Sequence, residues 1–237
     1  LTPSSTRSRP YGKMLQETTE EWRRTRFAAE GTTCQDCHMP AGRHLWKGIH
    51  DPSMVRSGLS LSASMTGSEP AEGFWAQVWG TLQLTATLTA TNVGAGHRLP
   101  TYTTPEIHLI MQQLDATGTP IEGTRQQTTI ARRMKPSDLS VELYDTRLLP
   151  DESLTLDYSQ DLHGKADSLR AWVEVWPDEA YRRNYKSWLD HERFESGHDQ
   201  LEKAMQASNR NLVGIMDDMR LGGEDGYGGG AEMPDGD

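Results

Sequence analysis

Cysteine is nearly absent from this chain: two among 237 residues. That rules out a scaffold stapled by several disulfides. Apolar residues are also scarce, at 35%, below the usual globular share. No apolar run approaches the length of a membrane span. Positive charge is in the minority, with 24 Lys and Arg against 34 Asp and Glu and a formal net charge of −10. Such a balance argues against nucleic acid as a partner. It suits docking to a basic protein, although many acidic surfaces serve solubility alone. No secretory leader opens the sequence, which begins at Leu1. The expectation is a mature chain or a fragment.

What the sequence does contain is concentrated at Cys34-Gln35-Asp36-Cys37-His38. C-x-x-C-H is the attachment pattern of a c-type haem. The two thiols add to the vinyl groups as thioethers, and the adjoining histidine becomes the first axial ligand of the iron. The motif consumes both cysteines. Other uses of the pair fit less well. A structural zinc site needs a second ligand pair, and no second C-x-x-C exists. A thioredoxin-type pair sits between a strand and a helix, whereas Gly31-Thr32-Thr33 and Met39-Pro40-Ala41-Gly42 read as loop. A disulfide across a two-residue gap closes a strained ring. A buried haem would also supply part of the missing apolar core. Its attachment takes place outside the cytoplasm, so a periplasmic or extracellular location is expected.

The rest of the chain divides by pattern. Residues 1–74 are expected to hold an extended arm (1–16), a short helix and a loop-like haem segment. Thr18 with Glu21 reads as a capping box, opening a helix through Trp22 and Phe27 that ends near Gly31. From residue 75 the period changes to two. Leu82, Leu84, Ala86, Leu88 and Ala90 alternate with Gln83, Thr85, Thr87 and Thr89, the signature of a half-buried strand. Further strands are expected at 106–114, 124–133, 139–148, 153–159 and 169–176, with turns at Asp115–Gly118 and Leu149–Glu152. Strands without intervening helices predict an antiparallel β-sandwich over 75–177. Asp178 caps a helical tail over 178–221, with Tyr181, Tyr185, Trp188 and Leu189 on one face and a second helix over 199–220. Residues 222–237 are Gly- and acid-rich and read as disordered.

A haem bound through His38 has one coordination position left, usually filled in c-type proteins by imidazole or thioether. His97 lies in Asn92-Val93-Gly94-Ala95-Gly96-His97-Arg98-Leu99-Pro100-Thr101, where glycines permit a tight turn and close approach of a flat ligand. His44 and His50 lie in His44-Leu45-Trp46-Lys47-Gly48-Ile49-His50, with Trp46 placed to cover a porphyrin edge. Met65 is a thioether alternative on a flexible loop. Arg43, Lys47 and Arg98 flank these candidates and suit haem propionates. His108, His163, His191 and His198 read as surface residues. Three histidines in good ligand settings, where one suffices, point to a further haem held outside this chain.

These stretches together resemble the C-terminal haem-plus-sandwich module of bis-histidine multihaem c-type cytochromes. The resemblance rests on Glu20-Glu21-Trp22-Arg23 before the C-x-x-C-H-M-P segment, on an H-x-aromatic-x-G-x-H segment at 44–50, and on a G-A-G-H-x-x-P-T-like segment at 94–101. It implies a β-sandwich packed on the last haem loop. It also implies electron transfer, attachment at Cys34, Cys37 and His38, and axial roles for His44, His50 and His97. Members of that family carry several such motifs and this chain carries one, so a subunit or fragment of a longer relay is expected. Its partners would be other haem chains and redox proteins. Two other functions compete. A haem enzyme would need an open iron site with helpers such as Glu106 and His108, and an assembly module would use the sandwich, arm and tail to dock a haem protein.

Overall fold

The computed structural model describes residues 15–70, 82–191, 196–208 and 219–220. Their order begins with three helical turns, α1 (Thr18–Trp22), α2 (Arg26–Ala29) and α3 (Cys34–His38), followed by a 3₁₀ turn at Pro40–Gly42 and α4 (Pro52–Gly58). Seven strands follow: β1 (Leu59–Pro70), β2 (Leu82–Asn92), β3 (Glu106–Asp115), β4 (Gln126–Lys135), β5 (Asp138–Asp145), β6 (Ser153–Asp161) and β7 (Ala166–Trp176). Helices α5 (Glu179–Asp190) and α6 (His198–Ala207) come next, and a two-residue β8 (Met219–Arg220) pairs with β7.

The strands form a three-stranded sheet, β1-β2-β6, and a five-stranded sheet, β5-β4-β3-β7-β8, with antiparallel pairing throughout. This is the expected β-sandwich. In β2 the alternation seen in the sequence becomes burial: Leu84, Ala86, Leu88 and Ala90 are fully or nearly fully covered, while the threonines between them are not. They meet Ile107, Leu109, Met111, Ile130, Leu156, Leu169, Val173 and Val175 in one core. Burial of such side chains contributes roughly 1.5–3 kcal/mol each relative to exposure. Tyr158 brings a hydroxyl into this core, donates to the Thr124 carbonyl at 2.8 Å, and accepts from Gln113 at 3.1 Å. The buried oxygen is therefore satisfied.

Several expectations are corrected. The stretch read as loop from Cys34 to Phe74 contains α4 and the twelve-residue β1. Leu59, Leu61, Ala63 and Met65 alternate with serines and threonine there, and those small polar residues masked the strand period. The sandwich therefore begins at Leu59, paired with Asn92. Met65 lies within this strand, opposite Ala86 and packed on the core, rather than on a free loop. Thr18 is the first residue of α1, not its cap, and makes no capping bond. The single helix expected through Phe27 is two short ones, α1 and α2. Asp178 flanks α5 but makes no side-chain cap. Met219 and Arg220, read as helix, are strand. The arm at 1–14, the boundary at 71–81 and the tail at 222–237 lie outside the described residues. Among the described residues no helix is long and apolar enough to cross a membrane.

Two connections define one end of the sandwich. Residues 93–105 carry the chain from β2 in one sheet to β3 in the other, and α4 runs directly into β1. Asn92, with no exposure, ties this end together. Its amide donates to the carbonyls of His97 (2.9 Å) and Leu148 (3.1 Å), and its oxygen accepts from the Ala95 N–H at 3.0 Å. A Cβ on Gly94 would lie 2.0 Å from the Ser57 carbonyl oxygen, a backbone atom that has no side-chain freedom to move aside. A Cβ on Gly96 would press on Phe27 at 3.1 Å and on Trp22 at 3.3 Å. Neither glycine has a positive φ. Their missing side chains let Ser57, Phe27 and Trp22 come close.

Candidate haem site

The C-x-x-C-H residues form one helical turn, α3. Asp36 fixes its start by accepting from both the backbone N–H and the hydroxyl of Thr33, each at 2.7 Å. These bonds hold the Asp36 carboxyl below its ordinary range, the backbone bond first. A helical turn sets the two cysteines on neighbouring positions of one coil with His38 directly after. Cys34 is exposed and Cys37 half-buried. Burial raises the Cys37 thiol above its usual value, and the nearby Asp36 adds to this.

His38 is held by the loop that follows. Its Nδ1 lies 2.5 Å from the Lys47 carbonyl oxygen, and the Lys47 N–H donates back to the His38 carbonyl at 3.0 Å. Trp46 closes that return with a left-handed backbone, φ 44°, a conformation costly for a side chain of this size. Its ring stacks against His38 with centroids 5.5 Å apart and an interplanar angle of 23°. Trp46 is 66% exposed, so the stacking leaves much of the indole in solvent.

His97 faces His38. The ring centroids are 6.2 Å apart and the planes differ by 10°. The Nδ1 of His97 lies 2.8 Å from the Arg98 carbonyl oxygen. A carbonyl can only accept, so Nδ1 of each ring carries the proton of its contact, and Nε2 is the nitrogen turned to another partner. Burial, first, holds the His97 imidazole below its ordinary range, and the neighbouring His38 acts in the same direction, favouring this neutral form. An imidazole nitrogen binds a metal at about 2.0 Å, so two rings across one ion have centroids on the order of 6 Å apart.

Between these groups lies a cavity of about 570 Å³, within the range of cofactor sites. Cys34, Cys37, His38, Trp46, His50 and His97 all line it. These six residues chosen from sequence, with Lys47 as a seventh, come from three separate stretches and share one space. His44 and Arg98 do not line it. His44 is exposed. The Arg98 guanidinium turns to Glu21 at 3.5 Å and to the Arg147 carbonyl at 3.3 Å. Lys47 pairs with Asp51 at 3.1 Å. His50 sits at the rim, 57% exposed, with Nε2 3.2 Å from both oxygens of Asp178. Met65 is not among the lining residues; Met54 is. Glu106 and His108 also lie outside the lining. Glu106 instead pairs with Arg183 and, at 3.3 Å, with His108, anchoring α5 to β3.

Sequence reasoning did not single out Trp22, Phe27, Val55, Leu99 or Tyr102 as walls, yet all five line the cavity. Aromatic residues just before a haem motif were the available signal for the first two. The others come from α4 and the β2–β3 connection, and only tertiary folding brings these together. Among the described residues no cluster of three or more His, Cys, Asp or Glu is placed to hold a bare metal ion. An iron inside a porphyrin asks the protein for only two axial ligands. A covalently held haem fits this donor set: two thiols on one coil, an adjoining imidazole with its Nδ1 engaged, and a second imidazole similarly engaged across an apolar-walled cavity.

No protein-family model matches the chain, and no curated protein is detectably similar to it in sequence. Among solved structures, the fold is similar to that of a penta-haem cytochrome c552 from Thermochromatium tepidum. The TM-score is 0.55 at 19% identity, over 81% of this chain. The match covers 49% of that protein, so the chain spans about half its length. The likeness is one of fold.

Proposed function

We propose that this chain is an electron-carrying c-type cytochrome unit. Cys34 and Cys37 would hold haem c as thioethers, and His38 and His97 would be its axial ligands. One observation carries this reading: two near-parallel imidazoles at a metal-spanning separation, each with Nδ1 bonded to a backbone carbonyl, share a cavity with the only two cysteines. When bound, such a group supplies reversible one-electron chemistry. The protein's own contributions are distinct. Lys47 and Arg98 carbonyls fix the tautomer and aim of the two rings, and this class of contact tunes ligand strength. Trp22, Phe27, Val55 and Leu99 exclude water from the walls. Two imidazoles on one iron leave no position for a substrate, which favours carrier over enzyme.

Exposed His44, and His50 at the rim on release from Asp178, would then serve haems of neighbouring chains or of further sequence. The unit would work in a relay with other haem proteins, outside the cytoplasm where c-type haem is attached. The test is haem content and spin state. The wild-type protein is expected to show one covalent haem by pyridine haemochrome and a low-spin ferric spectrum. His97→Ala should turn it high-spin, while His44→Ala and His50→Ala should not. High-spin wild-type haem that takes up carbon monoxide or cyanide rapidly would favour the enzyme instead. An unchanged spin state in all three variants would remove His97 from the site.

A further inference from the structure

The N-terminal helices and the His97 loop are far apart in sequence, and three side chains strap them together. Arg26 donates to the Val93 carbonyl at 2.6 Å, the Thr18 and Thr101 hydroxyls meet at 2.5 Å, and Glu21 accepts from the Arg98 N–H at 3.0 Å. The Glu21 contact differs from the other two in where it leads. Arg98 is the residue whose carbonyl oxygen receives Nδ1 of His97. Its N–H is held by one oxygen of Glu21, and its guanidinium lies 3.5 Å from the other. The same guanidinium reaches the Arg147 carbonyl at 3.3 Å. Arg147 is itself fixed by Asp145, at 2.7 and 2.8 Å, and by the Thr101 carbonyl at 2.9 Å. Glu21 is largely covered, with 13% of its side chain exposed. Arg98 is thus gripped at its N–H and its side chain, and its remaining backbone group orients the His97 ring.

We propose that Glu21 is a positioning residue for His97, acting through the Arg98 backbone. The proposal rests on the reading of His97 as an axial ligand. A carboxylate on the Arg98 N–H limits rotation of that residue, and so limits the directions in which its carbonyl can hold Nδ1. Ring angle and donor strength at Nε2 follow from that hold. α1 therefore does more than lead into the motif. It couples the segment carrying the cysteines to the ring on the opposite wall.

The test compares Glu21→Ala, Glu21→Gln and His97→Ala in the haem-loaded full chain, reading ferric electron paramagnetic resonance g-values and the rate of uptake of added imidazole. Contacts of this kind typically change metal affinity by about 10–100-fold. Glu21→Ala is expected to shift the g-values while staying low-spin, and to speed imidazole uptake about tenfold or more. Glu21→Gln keeps an acceptor for the Arg98 N–H and should stay within roughly threefold of wild type. If Glu21→Ala does not mature, Glu21→Asp, which shortens the reach by one methylene, should show the same change in smaller degree. Should Glu21→Ala (or Glu21→Asp in its place) match wild type in both readouts while His97→Ala turns high-spin, the positioning role is wrong and the ligand assignment stands. Equal disturbance by Glu21→Gln and Glu21→Ala also overturns it, because the N–H bond would then not be the operative contact. Wild-type spectra in all of these variants would overturn the ligand assignment with it.

Discussion

The sandwich and the segment in front of it are built on opposite physical terms. In β2, β3 and β7, side chain after side chain has no solvent exposure and contacts a shared apolar core. Helices α1, α2 and α3 contain no buried residue at all. Beside the packing of Trp22 and Phe27 on Gly96, polar contacts hold them: Glu21 to Arg98, Thr18 to Thr101, Arg26 to Val93, and Trp22 Nε1 to the Thr32 carbonyl at 3.0 Å. A net hydrogen bond contributes only about 0.5–1.5 kcal/mol. The sandwich therefore draws mainly on its own apolar core, and the expectation is that the segment in front of it draws on these straps and on an occupant of the cavity.

The hardest break of this comparison is at the thiols. Cys34→Ala with Cys37→Ala should abolish covalent haem while leaving the strand circular dichroism and core amide protection in place. Backbone amides of 18–58 should then exchange much faster, and equal protection there would refute the dependence of this segment on its cofactor. The converse break is Leu88→Ala, which opens the core. It should cost about 2–5 kcal/mol in denaturant unfolding without altering the haem spectrum of the folded protein.

Asn92 belongs to both regions, so its variant should move both readouts. Asn92→Ala leaves the His97 and Leu148 carbonyls and the Ala95 N–H without their partner. A loss of about 1–3 kcal/mol is expected, together with a shift in the ferric g-values. A change in only one of the two would place Asn92 in one region alone.

The smallest effect is electrostatic and confined to the sandwich side. Burial opposes ionisation of Glu106, but bonds from His108 and Arg183 outweigh it and hold its carboxyl below the ordinary range. A group with a depressed folded value adds stability above its unfolded value, and that stability is lost as pH falls through the folded value. Glu106→Gln should therefore lower stability at neutral pH by about 1 kcal/mol or somewhat more and flatten the acid side of the stability profile. An unchanged acid limb would show that the pair is energetically silent.

Much of this was legible in the residues. The β2 alternation gave both the strand and its buried face, because a strand's side chains must alternate and leucine against threonine makes that visible. The motif at Cys34–His38 pointed to the proposed chemistry, because few other uses suit two thiols at that spacing with a histidine attached. β1 was not legible, since Ser, Ala and Met alternate with too little contrast in hydropathy to separate a strand from a loop. The close neighbours of Gly94 and Gly96 were not legible for a related reason. Sequence shows that a side chain is missing, but not which atoms occupy its place.

By itself, then, the sequence determined the sandwich, the attachment motif and a short set of histidines. Only tertiary structure sets those histidines apart in position. His44, His50 and His97 are equivalent as imidazoles, and nothing local ranks them. The β2–β3 crossover brings His97 to 6.2 Å from His38, the Glu21 and Asn92 contacts hold its loop there, and His50 is left at the rim with Asp178. Distance and orientation across a cavity arise from contacts between residues remote in the chain, and a linear pattern does not encode them locally.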